Sequence, residues 1–159
     1  MHNDHPYVSE IRIIRSAGPD REAILPTGES VTFGVHGGIA KHYGVAVAGN
    51  KERAATLDYV VAAVAAAMVG TFARTLHDEG VTLGEGDLQA ETRGIFRSDD
   101  GELVLSEIEV AYLLRLTGGI EPDNLQRAHD RHLPMCPLVK ALGTCIEIRT
   151  DFSLASAHD

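Results

Sequence analysis

The sequence is poor in cysteine, with two residues in 159, and it contains no tryptophan. Two cysteines cannot build the set of crosslinks that small secreted domains use, so a disulfide framework is excluded. Basic residues are also few: 14 lysines and arginines stand against 23 acidic residues, and the formal net charge is −9. Because nucleic acids and anionic membrane surfaces attract basic proteins, we expect neither of them as a partner.

An apolar leader is missing as well. The first residues, MHNDHPYVSE, are polar and precede no apolar run of the kind found in a signal peptide, so we expect a cytoplasmic protein. The apolar content of 44% and the charged content of 23% are ordinary for a soluble globular chain. We predict a single domain over residues 1–159, with residues 1–7, including His2 and His5, flexible.

One long uncharged stretch, Tyr59 to Ala73, dominates what the sequence does contain. It is rich in alanine, which favours helix, and Asp58 precedes it, where a carboxylate stabilises a helix N-terminus. The run is shorter than the ~18 to 20 apolar residues of a membrane span. A helix that is apolar on every side must be enclosed. We therefore predict a central helix from Asp58 to Leu76 that packs on a sheet and on its own symmetry mate.

The segments before this helix are short and rich in β-branched residues. Glycine and proline turns separate them, which favours an antiparallel meander. The glycine-rich residues 36–53 predict a loop, with at most a brief strand at Val45–Ala48. The three predicted strands are Val8–Arg15, Arg21–Leu25 and Ser30–Val35.

The second half of the chain shows no regular βαβ repeat, so we predict an α+β fold with an antiparallel sheet. An Asp-Gly pair at residues 100–101 predicts a hairpin between two strands. The apolar phase of the second strand slips at Ser106–Glu107, which indicates a β-bulge. The predicted elements are strands at 87–97 and 102–116, a helix from Pro122 to about Arg131, a break bracketed by Pro134 and Pro137, a short helix at 137–142 and a last strand at 145–154.

Two segments resemble the OsmC/Ohr family of hydroperoxide-handling proteins. TLDYVVAA at residues 56–63 is similar to the start of that family's central helix, and HLPMCPLVKAL at residues 132–142 resembles its second cysteine motif. The order of elements over about residues 8–154 also fits. The resemblance implies an OsmC-like α+β fold, in which antiparallel sheets wrap around a long central apolar helix in an intertwined homodimer.

The resemblance also implies a chemistry. In active members, a cysteine within the central helix attacks the peroxide O–O bond. The resulting sulfenic acid condenses with the second cysteine, and a dithiol then reduces the disulfide. A glutamate before the central helix and an arginine from the N-terminal region activate the attacking thiolate.

This sequence departs from that pattern at the attacking cysteine. Ala67 occupies its position, and Leu57 occupies that of the activating glutamate, with Asp58 beside it as a shifted substitute. Arg21 is the nearest match to the activating arginine, and Cys136 is the resolving-type cysteine. We therefore expect a protein of the hydroperoxide and oxidative-stress response whose thiol peroxidase activity is weak or lost. The alternative is a non-catalytic dimeric binder of an apolar small molecule in the former peroxide pocket.

Two interpretations of Cys136 fit the sequence. It precedes Pro137, so it lies near the N-terminus of a short helix, where a thiolate is favoured and could act as a one-cysteine nucleophile or sensor. It could equally be a buried thiol that packs as a small hydrophobe. Cys145 follows at the far end of that helix, ~9 Å or more away at the helical rise per residue, so we expect no disulfide between the two.

Four histidines are candidates for a metal site or a pocket. His129 and His132, with Asp130 and Cys136 nearby, make a partial metal set, but their spacing matches no zinc pattern and we expect neither metal nor cofactor. His36 and His42 lie in the glycine-rich loop before the central helix. There they either line a pocket or are solvated.

Overall fold

The computed structural model describes residues 7–15, 18–47, 52–116, 118 and 120–155. The chain divides into two compact units, and the boundary along the sequence lies between Tyr59 and Val60. His2 and His5, which were assigned to a flexible terminus, lie outside the described residues. The single domain over the whole chain stays a prediction.

The first unit contains the predicted meander. Its strands are β1 (Arg12–Arg15), β2 (Arg21–Ile24) and β3 (Ser30–Phe33), and they form one antiparallel sheet in the order β1-β2-β3. Gly28, at a φ of 86°, allows the tight turn between β2 and β3, because glycine adopts positive φ without a steric penalty. The meander is confirmed, with strands shorter than the sequence predicted.

The loop predicted after the meander is partly wrong. Residues Gly37–His42 form a helix, α1, in which Ala40 is buried and donates its N–H to the carbonyl of His36. The glycines near both ends of this segment disfavour a helix by propensity, so the sequence predicted a loop, and the buried Ala40 lies within the helix that forms. No strand forms over the described part of Val45–Ala48, and Ala48 itself lies outside the described residues.

The central helix, α2, runs from Thr56 to Asp78, which confirms the prediction and extends it by two residues at each end. It ends before Gly80, which has a φ of 85°. One stripe of the helix is buried: Val64, Met68, Phe72, Thr75 and Leu76. The opposite face is exposed in the single chain: Tyr59, Val60, Ala62, Ala63, Ala66 and Gly70.

By length and composition alone, α2 could cross a membrane, since the mean hydropathy of its most apolar 18-residue window is 1.6. The helix nevertheless packs its buried stripe onto the core of the second unit, together with residues from the second sheet and from α3. By this packing it is a core helix of the second unit.

The second sheet has the strand order β4-β5-β6, with β4 at Leu88–Asp99, β5 at Glu102–Leu114 and β6 at Glu147–Leu154. The Asp100-Gly101 hairpin is confirmed: both residues have positive φ, 48° and 86°, as a type I′ turn requires. The bulge is also confirmed, because Ile95 pairs with Glu107 and Phe96 with Leu105, which leaves Ser106 unpaired.

One sheet prediction is wrong. β6 pairs with β5 in parallel, so the second sheet is mixed rather than wholly antiparallel. A parallel pair requires a crossover connection of a dozen or more residues, and the two helices between β5 and β6 supply it.

These helices are α3 (Pro122–Met135) and α4 (Pro137–Leu142). The bounds of α4 are those predicted, but α3 continues through Pro134 to Met135, so the predicted end near Arg131 is wrong. Pro134 lies in the last turn and removes only one helical donor there. Pro137 acts more strongly, because a proline keeps the residue before it extended, and Cys136 has φ −70° and ψ 122°.

α2 comes so close to the second sheet that only glycine fits at position 94. A Cβ built on Gly94 would lie 2.6 Å from Cγ2 of Val61 and 3.2 Å from the ring of Phe96. We expect Gly94→Ala to lower the free energy of unfolding by about 1–3 kcal/mol through overpacking. Urea denaturation measures this, with Ser98→Ala at an exposed position of the same strand as the control. A Gly94→Ala protein as stable as the control would contradict the close approach.

Candidate functional site

The positions of the two expected cysteines belong to the same core. Ala67 is half-buried in the middle of α2 and packs against the buried cluster of the second unit, of which Cys136 is a member. Cys136 has an exposed fraction of 0%. A thiol at position 67 would therefore face the same apolar core as Cys136, whereas the alanine present leaves Cys136 as the only thiol there.

Cys136 is fixed at the junction of two helices. Its N–H donates to the carbonyls of His132 and Leu133, at 3.0 and 3.1 Å, and its own carbonyl accepts from the N–H of Lys140 at 3.0 Å. It is the N-cap of α4, as predicted, although its side chain makes no capping hydrogen bond. Cys145 is exposed, and both cysteines are free thiols. Complete burial favours the interpretation of Cys136 as a packed thiol in the folded chain.

Next to Cys136, five rings from four elements pack together into what we call the aromatic cluster. The ring centroids of Phe72 and Tyr112 are 4.7 Å apart, and those of Phe72 and His132 are 4.9 Å apart. His129 stacks on His132 at 5.0 Å and on Phe152 at 4.9 Å. The sequence marked the two histidines only as a partial metal set, because the tyrosine and phenylalanines that enclose them come from distant segments.

Hydrogen bonds determine the tautomer of His132. Nδ1 contacts the carbonyl oxygen of His129, which can only accept, so Nδ1 carries the proton. In the neutral ring, Nε2 then accepts a hydrogen bond from the hydroxyl of Tyr112, 2.9 Å away. Both nitrogens of this fully buried imidazole are thus occupied by protein groups.

Burial shapes the acid–base behaviour of the aromatic cluster. It lowers the pKa of His132, although the hydrogen bond with the carbonyl of His129 acts in the opposite direction. It also lowers the pKa of His129, although the nearby carboxylates of Asp130 and Asp151 raise it. Burial also raises the pKa of Tyr112 above its ordinary range, and Cys136 adds to this rise. Near neutral pH, both histidines are therefore uncharged and Tyr112 keeps its hydroxyl proton.

The partial metal set does not come together in the structure. Among the described residues, no three His, Cys, Asp or Glu side chains are arranged to hold a metal ion. His132 has no free ring nitrogen, and Asp130 lies 3.9 Å from His129 with its side chain 66% exposed.

The remaining candidates lie in the first unit or at its end. Asp58, in the first turn of α2, accepts the N–H of Ala55 at 2.6 Å and lies 2.7 Å from Nε2 of His36. A carboxylate only accepts, so this nitrogen of His36 carries a proton. Arg21, at the start of β2, donates instead to the carbonyl of Pro19 at 3.2 Å. The sequence analysis predicted a separate role for each of Asp58 and His36. In the structure they form one half-exposed hydrogen-bonded pair.

The family model described as OsmC-like protein matches residues 49–151, well over half of the chain. The chain belongs to the OsmC-like family. No curated protein sequence gives a significant match to this OsmC-like protein.

Solved structures agree with the family. An OsmC-like protein from Mycoplasma pneumoniae has a TM-score of 0.73 at 15% identity, over 96% of this chain and 100% of that chain. The organic hydroperoxide resistance protein OhrB of Bacillus subtilis has a TM-score of 0.60 at 15% identity, over 94% and 98%. An organic hydroperoxide resistance protein from Elizabethkingia anophelis, with thiocyanate bound, has a TM-score of 0.64 at 14% identity, over 96% and 99%.

These matches confirm two predictions, the OsmC/Ohr-like resemblance and the α+β fold with a long apolar helix. At such low identities the solved structures establish the fold alone. The roles assigned to Cys136, Asp58 and Arg21, and the consequence of Ala67, stay predictions.

Proposed function

We propose that this OsmC-like protein acts in the response to hydroperoxides and oxidative stress without the two-cysteine peroxidase cycle. Family membership and the hydroperoxide resistance proteins among the similar structures support the role. One observation carries the second part: Ala67 provides no thiol, and Cys136, the only core cysteine, is fully buried.

The chemistry explains why one buried thiol is not enough. Attack on a peroxide turns a thiolate into a sulfenic acid, and a thiol of the protein or of the reductant must then reach that sulfur and condense with it before the cycle can close. Cys145 cannot serve as that second thiol in the folded chain, because it is exposed whereas Cys136 is enclosed in the core. Because Cys136 has an exposed fraction of 0%, an external dithiol does not reach a sulfenic acid there in the folded chain either.

The test is consumption of cumene hydroperoxide with dithiothreitol or a lipoyl dithiol as reductant. We expect turnover by the natural chain below about 0.01 per second, against the roughly 1–1,000 per second of typical enzymes. Ala67→Cys should gain dithiol-dependent turnover and lose it again when Cys136→Ser is added. The matched control is Ala66→Cys, which places a thiol on the exposed face of α2 and should gain none. Natural-chain turnover that Cys136→Ser abolishes would make Cys136 the nucleophile and refute the proposal.

The activating roles of Asp58 and Arg21 can be tested in the same background. In Ala67→Cys, we expect Arg21→Gln to lower the gained turnover, because it removes a positive charge able to favour the thiolate. We expect Asp58→Asn to lower it too, because it removes a carboxylate able to accept the proton of the thiol. Unchanged turnover in either variant would show that the substituted residue has no activating role.

The alternative, an apolar binder, has one observation in its favour. Ala67, at the position that the family resemblance assigns to the attacking thiol, packs against an apolar cluster and adds an apolar side chain to it. A ligand that binds only the folded state raises the Tm with its concentration. The probe is 2-phenyl-2-propanol, the alcohol that corresponds to cumene hydroperoxide. A Tm that does not change up to millimolar probe would argue against this alternative.

We also propose that the protein is a cytoplasmic homodimer that associates through the exposed face of α2. Tyr59 and Val60 are 36% and 38% exposed there, and alanines and Gly70 make up the rest of the face. Small side chains let a second helix approach closely, and two-fold symmetry is the commonest arrangement of soluble oligomers. We expect sedimentation at micromolar concentration to give the mass of two chains of 17.1 kDa each. A stable monomer would refute this.

A further inference from the structure

His132 connects the backbone of Cys136 to the aromatic cluster. Its carbonyl accepts the N–H of Cys136, and its ring is held by the hydroxyl of Tyr112 on β5 and by the carbonyl of His129. Both His132 and Cys136 have an exposed fraction of 0%. The ring of His132 therefore anchors the turn of α3 that leads into Cys136.

The surroundings of the two histidines suit neutral rings and not cations. α2 contributes the apolar ring of Phe72, β5 contributes Tyr112, and β6 contributes Phe152 and the carboxylate of Asp151. On α3 itself, Asp130 is mostly exposed and 3.9 Å from Nδ1 of His129. These two carboxylates favour a charge on His129, but burial outweighs them.

One nitrogen of the pair is already unsatisfied. Nε2 of His129 is buried and has no hydrogen-bond partner among the described residues. In the protonated ring, this nitrogen would be a buried donor without a partner on a charged group, which is unfavourable. Protonation of both rings would also place two positive charges on rings 5.0 Å apart.

The direction of the pH effect follows. Each histidine has a pKa below the ordinary 6.5 when the cluster is closed, so the closed state binds fewer protons than a state with exposed rings. The two histidines contribute fully to the stability of the closed state above about pH 6.5, and this contribution decreases as the pH falls below that value.

We propose that the His129–His132 pair is an acid-opened gate over the thiol of Cys136, in which protonation releases the last turn of α3 and exposes Cys136. The gate requires no peroxide chemistry, so it goes beyond the proposed function and can fail independently of it. At neutral pH it keeps the thiol enclosed, and in an acidified compartment or cell it makes the thiol accessible.

The test is thiol labelling with 4,4′-dithiodipyridine at several pH values, with the labelled sites counted by mass spectrometry. Cys145 is exposed and serves as the internal reference for the reactivity of the reagent at each pH. From about pH 7.5 to about pH 5.5, we expect the ratio of Cys136 to Cys145 labelling to rise, by up to roughly tenfold for each histidine that takes up a proton. An unchanged ratio would overturn the proposal.

Variants separate the gate from other causes of acid sensitivity. His129→Phe keeps a ring of similar size and removes one titrating group, so the rise should be markedly smaller, and His132→Phe should reduce it in the same way. His77→Gln, at an exposed position of α2, is the control and should leave the rise unchanged. An equal rise in His129→Phe and in the natural chain would refute the gate.

A second measurement uses the unsubstituted chain, so its result does not depend on whether His132→Phe folds. In the natural chain, NMR follows the ring C–H signals of His129 and His132 as the pH is lowered. We expect at least one of them to titrate with the same midpoint as the labelling of Cys136. Midpoints that differ by more than about one pH unit, a tenfold difference in proton affinity, would show that the two events are separate.

Discussion

Phe72→Ala is expected to lower the free energy of unfolding by about 3–5 kcal/mol, the usual cost of removing a buried phenylalanine ring. Phe72 has an exposed fraction of 0%, and its ring contacts Tyr112 and His132 at centroid distances of 4.7 and 4.9 Å. The loss has two sources: the apolar surface that is no longer buried, and the cavity that neighbouring elements cannot fill. Those neighbours belong to β5 and α3, so the aromatic cluster would lose its centre.

Urea denaturation followed by circular dichroism measures this effect. His77→Ala, on the same helix but exposed, is the control and should change stability by no more than about 0.5 kcal/mol. Phe72→Leu should fall between the two, because it restores part of the lost volume. A loss below about 1 kcal/mol in Phe72→Ala, outside the usual range for such a change, would mean that the ring is not packed as described.

Gly70→Glu is expected to convert the proposed dimer into a monomer. Gly70 lies on the exposed face of α2, and no atom lies within 4 Å of a Cβ built on it. Within one chain, the change should stabilise the helix, since glycine costs about 1 kcal/mol relative to a good helix former. Between two chains, it places a charged side chain where small residues allow close approach, and burying an unpaired charge is expensive.

Sedimentation velocity distinguishes these effects. The natural chain should sediment as a dimer and Gly70→Glu as a folded monomer with an unchanged circular dichroism spectrum. Ala141→Glu, at an exposed position of α4, makes a comparable change elsewhere and should remain dimeric. A Gly70→Glu protein that remains dimeric would place the interface on another surface, for which β1, with Ile13 and Ile14 58% and 42% exposed, is the next candidate.

Local signals explain the successful sequence predictions. The Asp100-Gly101 hairpin, the bulge at Ser106 and the bounds of α4 each depend on residues that are neighbours in the chain, and all three were correctly predicted. The predicted end of α3 near Arg131 was wrong because two prolines, Pro134 and Pro137, each could have ended the helix. Pro134 removes one helical hydrogen bond without ending α3, whereas Pro137 keeps the residue before it extended and does end it.

Features made by distant segments were not predicted. The parallel pairing of β6 depends on where α3 and α4 return the chain, and α1 depends on the burial of Ala40 between two glycines. The pair formed by Asp58 and His36 joins residues 22 positions apart. Pattern and propensity act over a few residues, so they contain no information on such contacts.

The sequence by itself determined that the chain has a long apolar helix, two sets of strands, a Cys-Pro helix and no thiol at position 67, because composition and spacing express these directly. Only the tertiary structure decided what surrounds the remaining thiol. It placed Cys136 out of reach of solvent and enclosed two histidines with Phe72, Tyr112 and Phe152. The physical reason is that burial and hydrogen-bond partners, which set the pKa of a histidine and the access to a thiol, come from elements far apart in sequence.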